Sequence, residues 1–200
     1  MEHKGTVLLE TERLILRRFE ERDAQAMFDN WASNPNVTQY LTWQAHGSVD
    51  DTKALLREWV KNYGCDNFYQ WAIELKTLAQ PIGSISVVRI QEEVDECEVG
   101  YCLGEEWWKK GIMTEAFKRV IAFLFEEVKA NRICADHDTE NVNSGKVMQK
   151  SGLTYEGTLR QAGRNSKNPR CDLAVYAVIK ALRKERTGLG NVYKRFRGFH

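Results

Sequence analysis

The residues best placed to do chemistry form one short run, in which two lysines and a glycine precede a helical pattern. Residues 107–116 read WWKKGIMTEA. Glycine at Gly111 lets a ligand approach the backbone closely. The first turn of a helix leaves N–H groups unpaired and carries partial positive charge. With the charges of Lys109 and Lys110, these features predict a site that binds phosphate groups of a ligand.

This run lacks the spacing of the best-known phosphate loops. The pattern GxxxxGK[ST] of nucleotide hydrolases is absent, and so is the GxGxxG pattern of dinucleotide-binding proteins. The run therefore indicates neither a nucleotide hydrolase of that type nor a dinucleotide-binding protein. The alternative is that Gly111 only makes a turn before a helix.

Other reactive side chains give weaker signals. The five cysteines show no CxxC spacing and the four histidines no HExxH pattern, so we expect free thiols and no metal site. Cys102 and Cys134 could in principle carry an acyl group, but we expect both to be small buried hydrophobic residues. His137, near a predicted strand end, is either a proton shuttle or an ordinary strand residue.

Composition indicates a single soluble domain of 200 residues with a formal net charge of +1. A net charge so close to zero argues against a dedicated DNA-binding protein, which is usually strongly basic. We see no signal peptide and no membrane-spanning apolar run, so we expect a cytoplasmic protein. Residues 1–182 are predicted to form the domain, and residues 183–200 a basic tail that is either solvated or touches ribosomal RNA or an acidic partner.

The first half of the chain predicts a strand at residues 14–16 followed by two helices. The first helix covers residues 23–31, and Pro35 ends it. The second begins after Ser48, an N-cap residue, and runs to about Tyr63. We expect it to bury four apolar side chains: Leu55, Leu56, Trp59 and Val60.

The second half predicts a sheet interrupted by one long helix. Strands at residues 68–75, 84–90 and 97–103 form an antiparallel meander with an acidic turn at 91–96. Apolar residues then recur at helical spacing from Met113 to Val128. A strand at 133–135 follows and is expected to run parallel to the preceding one. A short helix at 142–150 and strands at 153–159 and 173–179 complete an α/β fold with a mixed, mostly antiparallel sheet and helices on both faces.

These motifs together resemble the GNAT N-acetyltransferase superfamily. WWKKGIMTEA is similar to the coenzyme-binding motif of its RimJ/RimL-like branch, which acetylates protein N-termini. Residues 11–17, TERLILR, resemble the opening of that branch, and similar segments occur at EVGY (98–101), NVNS (141–144) and SGL (151–153). The resemblance extends from about Leu9 to Leu182.

The resemblance implies an acetyl-CoA co-substrate and a set of residues that bind it. Backbone amides of the glycine loop would bind the pyrophosphate, and the pantetheine arm would lie between two separated parallel strands and bond to the first like an added strand. Asn141 would bond to the same arm. The implied loop residues are Lys109, Lys110, Gly111, Met113 and Thr114, and the implied strand residues are Tyr101, Cys102 and Leu103.

The resemblance also implies direct attack of an amine on the thioester. Many superfamily members protonate the leaving thiolate with a tyrosine, but that position is Met148 here. The branch uses a serine, which matches Ser144; alternatively Ser144 only caps the short helix. Glu98 is the candidate general base. Alternatively, Glu98 is an ordinary exposed acid on a strand.

The acceptor is not specified by these motifs. A protein N-terminus, as on a ribosomal protein, and a small amine such as an aminoglycoside, polyamine or amino-acid derivative both fit. A non-catalytic acyl-CoA sensor is a third reading. Residues 34–47 are long enough for a substrate loop. Contact with the ribosome is a further expectation, and the protein is expected to be a monomer or a homodimer.

Overall fold

An eight-stranded sheet forms the centre of the protein. The computed structural model describes residues 1–180. The strand order is β1-β2-β3-β4-β5-β6-β8-β7, and only β5 and β6 are parallel neighbours. This confirms the predicted mixed, mostly antiparallel α/β fold. The strands are β1 Leu9–Glu10, β2 Leu14–Arg17, β3 Gln70–Leu75, β4 Gln80–Gln91, β5 Glu96–Leu103, β6 Arg132–Asp138, β7 Thr154–Gly163 and β8 Cys171–Ile179.

Five α-helices accompany the sheet in the described part of the chain: α1 Ala24–Met27, α2 Pro35–Thr38, α3 Val49–Asn62, α4 Ile112–Glu126 and α5 Val142–Lys150. Helix α1 continues into a π-helical turn, Phe28–Ala32. The first helical stretch ends before Pro35, as predicted, but Pro35 also begins α2, which was not predicted. The side chain of Asn34 caps that helix by accepting a hydrogen bond from the N–H of Asn36, and a proline fits the first turn because no donor is needed there.

Helix α3 begins as predicted. Ser48 and Asp51 form a reciprocal capping box, and Leu56 is fully buried. The expected burial of Val60 was wrong, since this side chain is 39% exposed. The neighbouring Trp59 makes the contact with the core instead, with its ring 5.1 Å from that of Phe19; Val60 lies about 100° further around the helix, on its solvent side.

Two apolar cores cover the two faces of the sheet. Along β3, the side chains of Trp71 and Ile73 join the core beneath α4, whereas Ala72 between them joins the core beneath α1 and α3. This alternation follows from the two-residue repeat of a strand. The predicted apolar stripe of α4 is buried from Met113 to Val128, which fixes the start of this helix beside the end of β5.

Strands β5 and β6 separate along their length. Three residue pairs join them, the last being Glu98 with Cys134. Beyond that pair, β5 continues to Leu103 paired only with β4, and β6 continues to Asp138 paired only with β8. The residues 99–103 therefore present backbone N–H and C=O groups to an open gap, where an extended ligand could pair with them as an added strand.

The end of the predicted domain at residue 182 and the basic tail at 183–200 lie outside the described residues. Within residues 1–180, no helix combines the length and apolar character needed to cross a membrane.

Candidate active site

The glycine loop between β5 and α4 forms a concave row of backbone donors. Gly111 has φ +75° and Lys109 φ +60°, both in the left-handed region. Among residues 1–180, no backbone acceptor pairs with the N–H groups of residues 109–114. Successive free N–H groups at a helix start form an anion site. The loop thus fits the phosphates of a coenzyme, with the exposed Lys109 and Lys110 side chains beside it.

Trp108 lies at the start of the glycine loop, directly before Lys109 and Lys110. Its indole N–H donates to the carbonyl of Leu103 at 2.7 Å. This bond ties the loop to the last residue of β5. It also occupies one lone pair of the Leu103 carbonyl, one of the backbone groups expected to meet the coenzyme arm.

The loop is braced by the turn between β1 and β2. Glu115, in the first turn of α4, accepts hydrogen bonds from the Thr11 hydroxyl at 2.6 Å and from the Arg13 guanidinium at 2.7 Å. Arg13 also donates to the carbonyl of Lys110 at 3.0 Å. Burial raises the pKa of Glu115, but the hydrogen bonds from Thr11 and Arg13 outweigh it and hold the pKa below its usual range. Glu115 is therefore a carboxylate whose charge Arg13 compensates beside the anion site.

Sequence reasoning missed this brace. The TER tripeptide was noticed only as part of a family resemblance. Its partner Glu115 lies 102 residues further along the chain from Arg13, and no local pattern connects the two.

Removing the Arg13 charge should weaken coenzyme binding selectively. We expect Arg13→Met to raise KM for acetyl-CoA about two- to fivefold, as for the loss of a largely exposed ion pair, with kcat unchanged. Glu115→Gln in the same chain should restore part of the affinity, because the uncompensated carboxylate is then removed. Steady-state kinetics measure both. Arg22→Met is the matched control, since Arg22 pairs only with Glu20 on the surface; equal effects of the two arginine changes would contradict the prediction.

Ser144 and Tyr101 meet on the α4 side of the gap. The two hydroxyl oxygens lie 2.9 Å apart, and the Tyr101 hydroxyl is also 3.1 Å from the Ser144 carbonyl. Burial raises the pKa of Tyr101, although the bond to Ser144 lowers it in part. Tyr101 therefore stays a protonated donor. Among residues 1–180, the Ser144 hydroxyl bonds to the Tyr101 hydroxyl and to no backbone N–H of α5, so the structure shows no capping bond from it.

Asn141 immediately precedes α5, and its backbone holds the turn. Its N–H donates to Asp138, and its carbonyl accepts from the N–H of Ser144 at 3.0 Å. No hydrogen bond to its side chain occurs within residues 1–180, so the amide is available to a ligand. Met148, four residues beyond Ser144, is buried in the main core.

Glu98 lies at the closed end of the gap in an ion pair. Its Oε2 accepts from the Arg89 guanidinium at 2.7 and 2.6 Å. Next to it, Arg132 joins Glu96 at 2.5 Å and Glu156 at 2.6 Å. These ion pairs link β4 to β5, β5 to β6 and β6 to β7. They lie in the region where β5 and β6 are still hydrogen-bonded. Glu98 is thus not the freely exposed acid of the alternative reading, and its role as general base stays a prediction.

Comparison with known proteins identifies the family. Residues 13–154 match the acetyltransferase (GNAT) domain. The chain belongs to the GNAT acetyltransferase family. It is 30% identical to the uncharacterized N-acetyltransferase YoaA of Bacillus subtilis, covering 86% of this chain and 97% of that protein.

Two further comparisons concern the branch. The [ribosomal protein uS5]-alanine N-acetyltransferase of Escherichia coli is 26% identical, over 76% of this chain and 80% of that one. The solved structure of RimL, a ribosomal L7/L12 alpha-N-protein acetyltransferase in complex with coenzyme A, superposes with a TM-score of 0.76 at 20% identity, covering 86% and 98% of the two chains. The RimJ/RimL-like resemblance is confirmed. As a GNAT enzyme, this protein is an acetyl-CoA-dependent N-acetyltransferase.

The cysteines of this GNAT domain are poorly suited to covalent catalysis. Cys134 is buried, and burial raises the pKa of its thiol to about 12. Burial also raises the pKa of Cys102, whose sulfur lies 3.3 Å from the Ser84 hydroxyl. Both thiols stay protonated at neutral pH, and the thiolate is the nucleophilic form.

His137 of the GNAT domain is buried on the α5 side of β6. Its Nδ1–H donates to the carbonyl of Asp138 at 2.7 Å, and its ring stacks on Tyr176. Its Nε2 has no hydrogen-bond partner among the described residues. A Cβ on Gly145 would come within 2.6 Å of that nitrogen, so the ring packs tightly under α5. No described residue continues a proton path from it.

Two loops meet on the face of the GNAT sheet that α1 and α3 cover, opposite α4. Gln44 donates to the carbonyl of Ser166 at 2.6 Å, and Lys167 donates to the side chain of Gln39 at 2.9 Å. The first loop packs on the α1–α3 core next to β5 through Trp43. The second is held to β6 by a bond from Asn165 to Asp138. We call these two contacts the loop bridge; it spans from the β5 side of the gap to the β6 side.

In the described residues, no group of three His, Cys, Asp or Glu side chains could hold a metal ion.

Proposed function

We propose that this enzyme acetylates the N-terminal α-amine of a protein, by direct attack of the amine on acetyl-CoA. The loop bridge carries the proposal, because two hydrogen-bonded loops beside the gap favour an acceptor that is slender and extended. A peptide N-terminus has that shape. The names of the uS5 and L7/L12 enzymes support the same substrate class. We expect the enzyme to be cytoplasmic and to meet its substrate on or near the ribosome.

In this proposal the coenzyme spans the glycine loop and the gap. The N–H groups of Lys109, Lys110, Gly111, Met113 and Thr114 bind the pyrophosphate. The backbone of Tyr101 and Cys102, and the remaining lone pair of the Leu103 carbonyl, meet the pantetheine arm in the gap. The free amide of Asn141 bonds to the same arm. The unpaired edge of β5 and the free loop donors support this placement.

Ser144 is the proposed proton donor to the leaving thiolate. A lone serine hydroxyl is a weak acid, but the hydroxyl of Tyr101, which stays protonated, lies 2.9 Å away and can donate to the serine oxygen as the serine proton leaves. A donor hydrogen bond to the serine oxygen stabilises the negative charge that develops when its proton leaves. Glu98, which is held in an ion pair by Arg89, remains the base predicted from the sequence.

A small cationic amine is the second candidate acceptor, and a cavity favours it. At the end of β6, a hollow of about 450 Å³ is lined by three acidic residues, Asp138, Glu140 and Asp172, against one basic residue, Arg170. Its size falls in the range of small-molecule sites. A polyamine would carry several positive charges to these carboxylates.

The decisive experiment is acetyl-CoA turnover, followed as free thiol release, with a panel of acceptors. The panel contains peptides that begin with Ser or Ala, the same peptides with a blocked N-terminus, and spermidine. Turnover of the free peptides but not of the blocked ones is expected. Turnover of spermidine alone would replace the proposed acceptor with a small amine.

A further inference from the structure

Asp136 projects into the opening between β5 and β6. Cys134 is the last β6 residue paired with β5, opposite Glu98. Since side chains alternate along a strand, Asp136 points to the same face as Cys134 and Glu98. Tyr101, three residues after Glu98, points to the opposite face, towards Ser144. Asp136 and Ser144 therefore flank the gap from opposite sides of the sheet, at the point where the strands part.

Asp136 differs from the neighbouring acids in having no partner. Glu98 is held by Arg89. Asp138 accepts hydrogen bonds from Asn165 at 2.6 Å and from the N–H of Glu140 at 2.9 Å. The carboxylate of Asp136 is accessible to water, and no described residue bonds to it or pairs with it. A carboxylate in this state can receive a cationic group from a ligand.

The surroundings make Asp136 a stronger base than an ordinary aspartate. The side chain reaches water, but its partial burial beside the two strands raises the pKa of its carboxyl, and the charge of Glu98 on β5 raises it further. His137 on the same strand and Arg89 on β4 lower it in part. On β8 the residue opposite is the apolar Val175. A carboxyl group with a raised pKa that borders an open gap is a candidate general base.

We propose that Asp136 binds the ammonium group of the acceptor and removes its proton, from the face of the sheet opposite Ser144. This deepens the proposed function, on which it rests for the reaction, but it applies equally to a peptide and to a small amine. It gives to Asp136 the role that sequence reasoning predicted for Glu98. Glu98 then acts on the reaction through Asp136, by its charge.

The proposed step balances as follows. Asp136 takes one proton from the ammonium group and passes it to water. The freed nitrogen lone pair forms the N–C bond to the thioester carbonyl carbon, and the C–S bond then breaks. The thiolate takes a proton from Ser144, and the amide nitrogen loses its second proton, which restores the serine through the solvent. The products are the acetylated amine, coenzyme A with a free thiol and one proton released to water.

The first test replaces Asp136 by asparagine, which keeps the shape and removes the base. We expect kcat/KM for the acceptor to fall about 100-fold, as for the loss of a general base, with KM for acetyl-CoA unchanged. Asp136→Glu should recover part of the rate. Asp66→Asn is the matched control, since Asp66 is an exposed aspartate outside the gap. The acceptor is whichever of the Ser or Ala peptides and spermidine is turned over.

The second test is the pH dependence of kcat/KM, which a merely structural role would not move. As the pH is lowered, kcat/KM should fall because Asp136 becomes protonated. This acidic limb of the pH profile should vanish in Asp136→Asn. Glu98→Gln removes a negative charge, lowers the pKa of Asp136 and should shift the limb to lower pH. Arg89→Met removes a positive charge and should shift it to higher pH. A limb that survives in Asp136→Asn but vanishes in Glu98→Gln would overturn the proposal.

A direct titration separates this proposal from the identity of the acceptor. Carboxyl carbon NMR of the labelled protein, with Asp136→Asn to assign the signal, should show one aspartate that titrates above the usual range. An ordinary titration of Asp136 would refute the inference even if peptides are acetylated. Conversely, turnover of spermidine alone with the predicted pH shifts would refute only the protein-acetylation proposal.

Discussion

Ser144→Ala should lower kcat at least about tenfold and leave KM for acetyl-CoA nearly unchanged. Loss of a general acid is typically worth about 10²–10⁴-fold, and the serine hydroxyl is the proposed donor to the thiolate. The fold should survive, because Tyr101 can still donate to the backbone carbonyl of residue 144. Initial rates at saturating acceptor, together with a calorimetric titration of coenzyme A, measure the two quantities.

Tyr101→Phe provides the companion measurement. This change keeps the ring that packs 5.5 Å from Phe117 and removes only the hydroxyl. If Tyr101 acts through Ser144, the double variant should be no slower than Ser144→Ala alone, since residues that act as a unit are not additive. Ser144→Thr, which restores a hydroxyl, should recover part of the rate. An unchanged kcat in Ser144→Ala would remove the serine from the mechanism.

Gly111→Ala should raise KM for acetyl-CoA roughly tenfold. The left-handed backbone at φ +75° costs a residue with a side chain about 1–2 kcal/mol, and 1.4 kcal/mol corresponds to a factor of ten. Steric conflict within the protein is not the cause, because the nearest atom to an added Cβ is a nitrogen of Arg13 at 3.7 Å. Relief of the strain would turn the loop N–H groups away from the phosphates.

Two substitutions test this backbone explanation. Gly111→Asn should bind coenzyme A better than Gly111→Ala, because asparagine tolerates the left-handed region. Gly64→Ala is the control, since Gly64 lies outside the site and an added Cβ there has ample room. Calorimetric titration of coenzyme A compares the three variants with the parent protein. Equal losses for alanine and asparagine at position 111 would point to the side chain itself and away from backbone strain.

Local sequence determined the elements that form the proposed coenzyme site. The apolar repeat that begins at Met113 depends only on residues three and four apart, and α4 follows it. Ser48 and Asp51 are three residues apart, and their capping box formed as predicted. The glycine before α4 took the positive φ that only glycine adopts readily. Each of these features rests on interactions between near neighbours, which a sequence displays directly.

The partners of the reactive side chains depended on tertiary structure. The sequence suggested Ser144 and Glu98, but it did not show that Tyr101, 43 residues away, bonds to the serine. Nor did it show that Arg89 holds Glu98, whereas Asp136 has no partner among residues 1–180. These outcomes depend on which strands become neighbours in the sheet.

By itself, then, the sequence determined the family, the α/β elements and the loop suited to coenzyme phosphates, because periodicity, capping and glycine conformation act over a few residues. The tertiary structure alone decided where β5 and β6 part, that Arg13 braces the loop from the other end of the domain, and which carboxylate in the gap stays free. The physical reason is that hydrogen bonds and ion pairs between distant residues form only after the sheet order has set their distances.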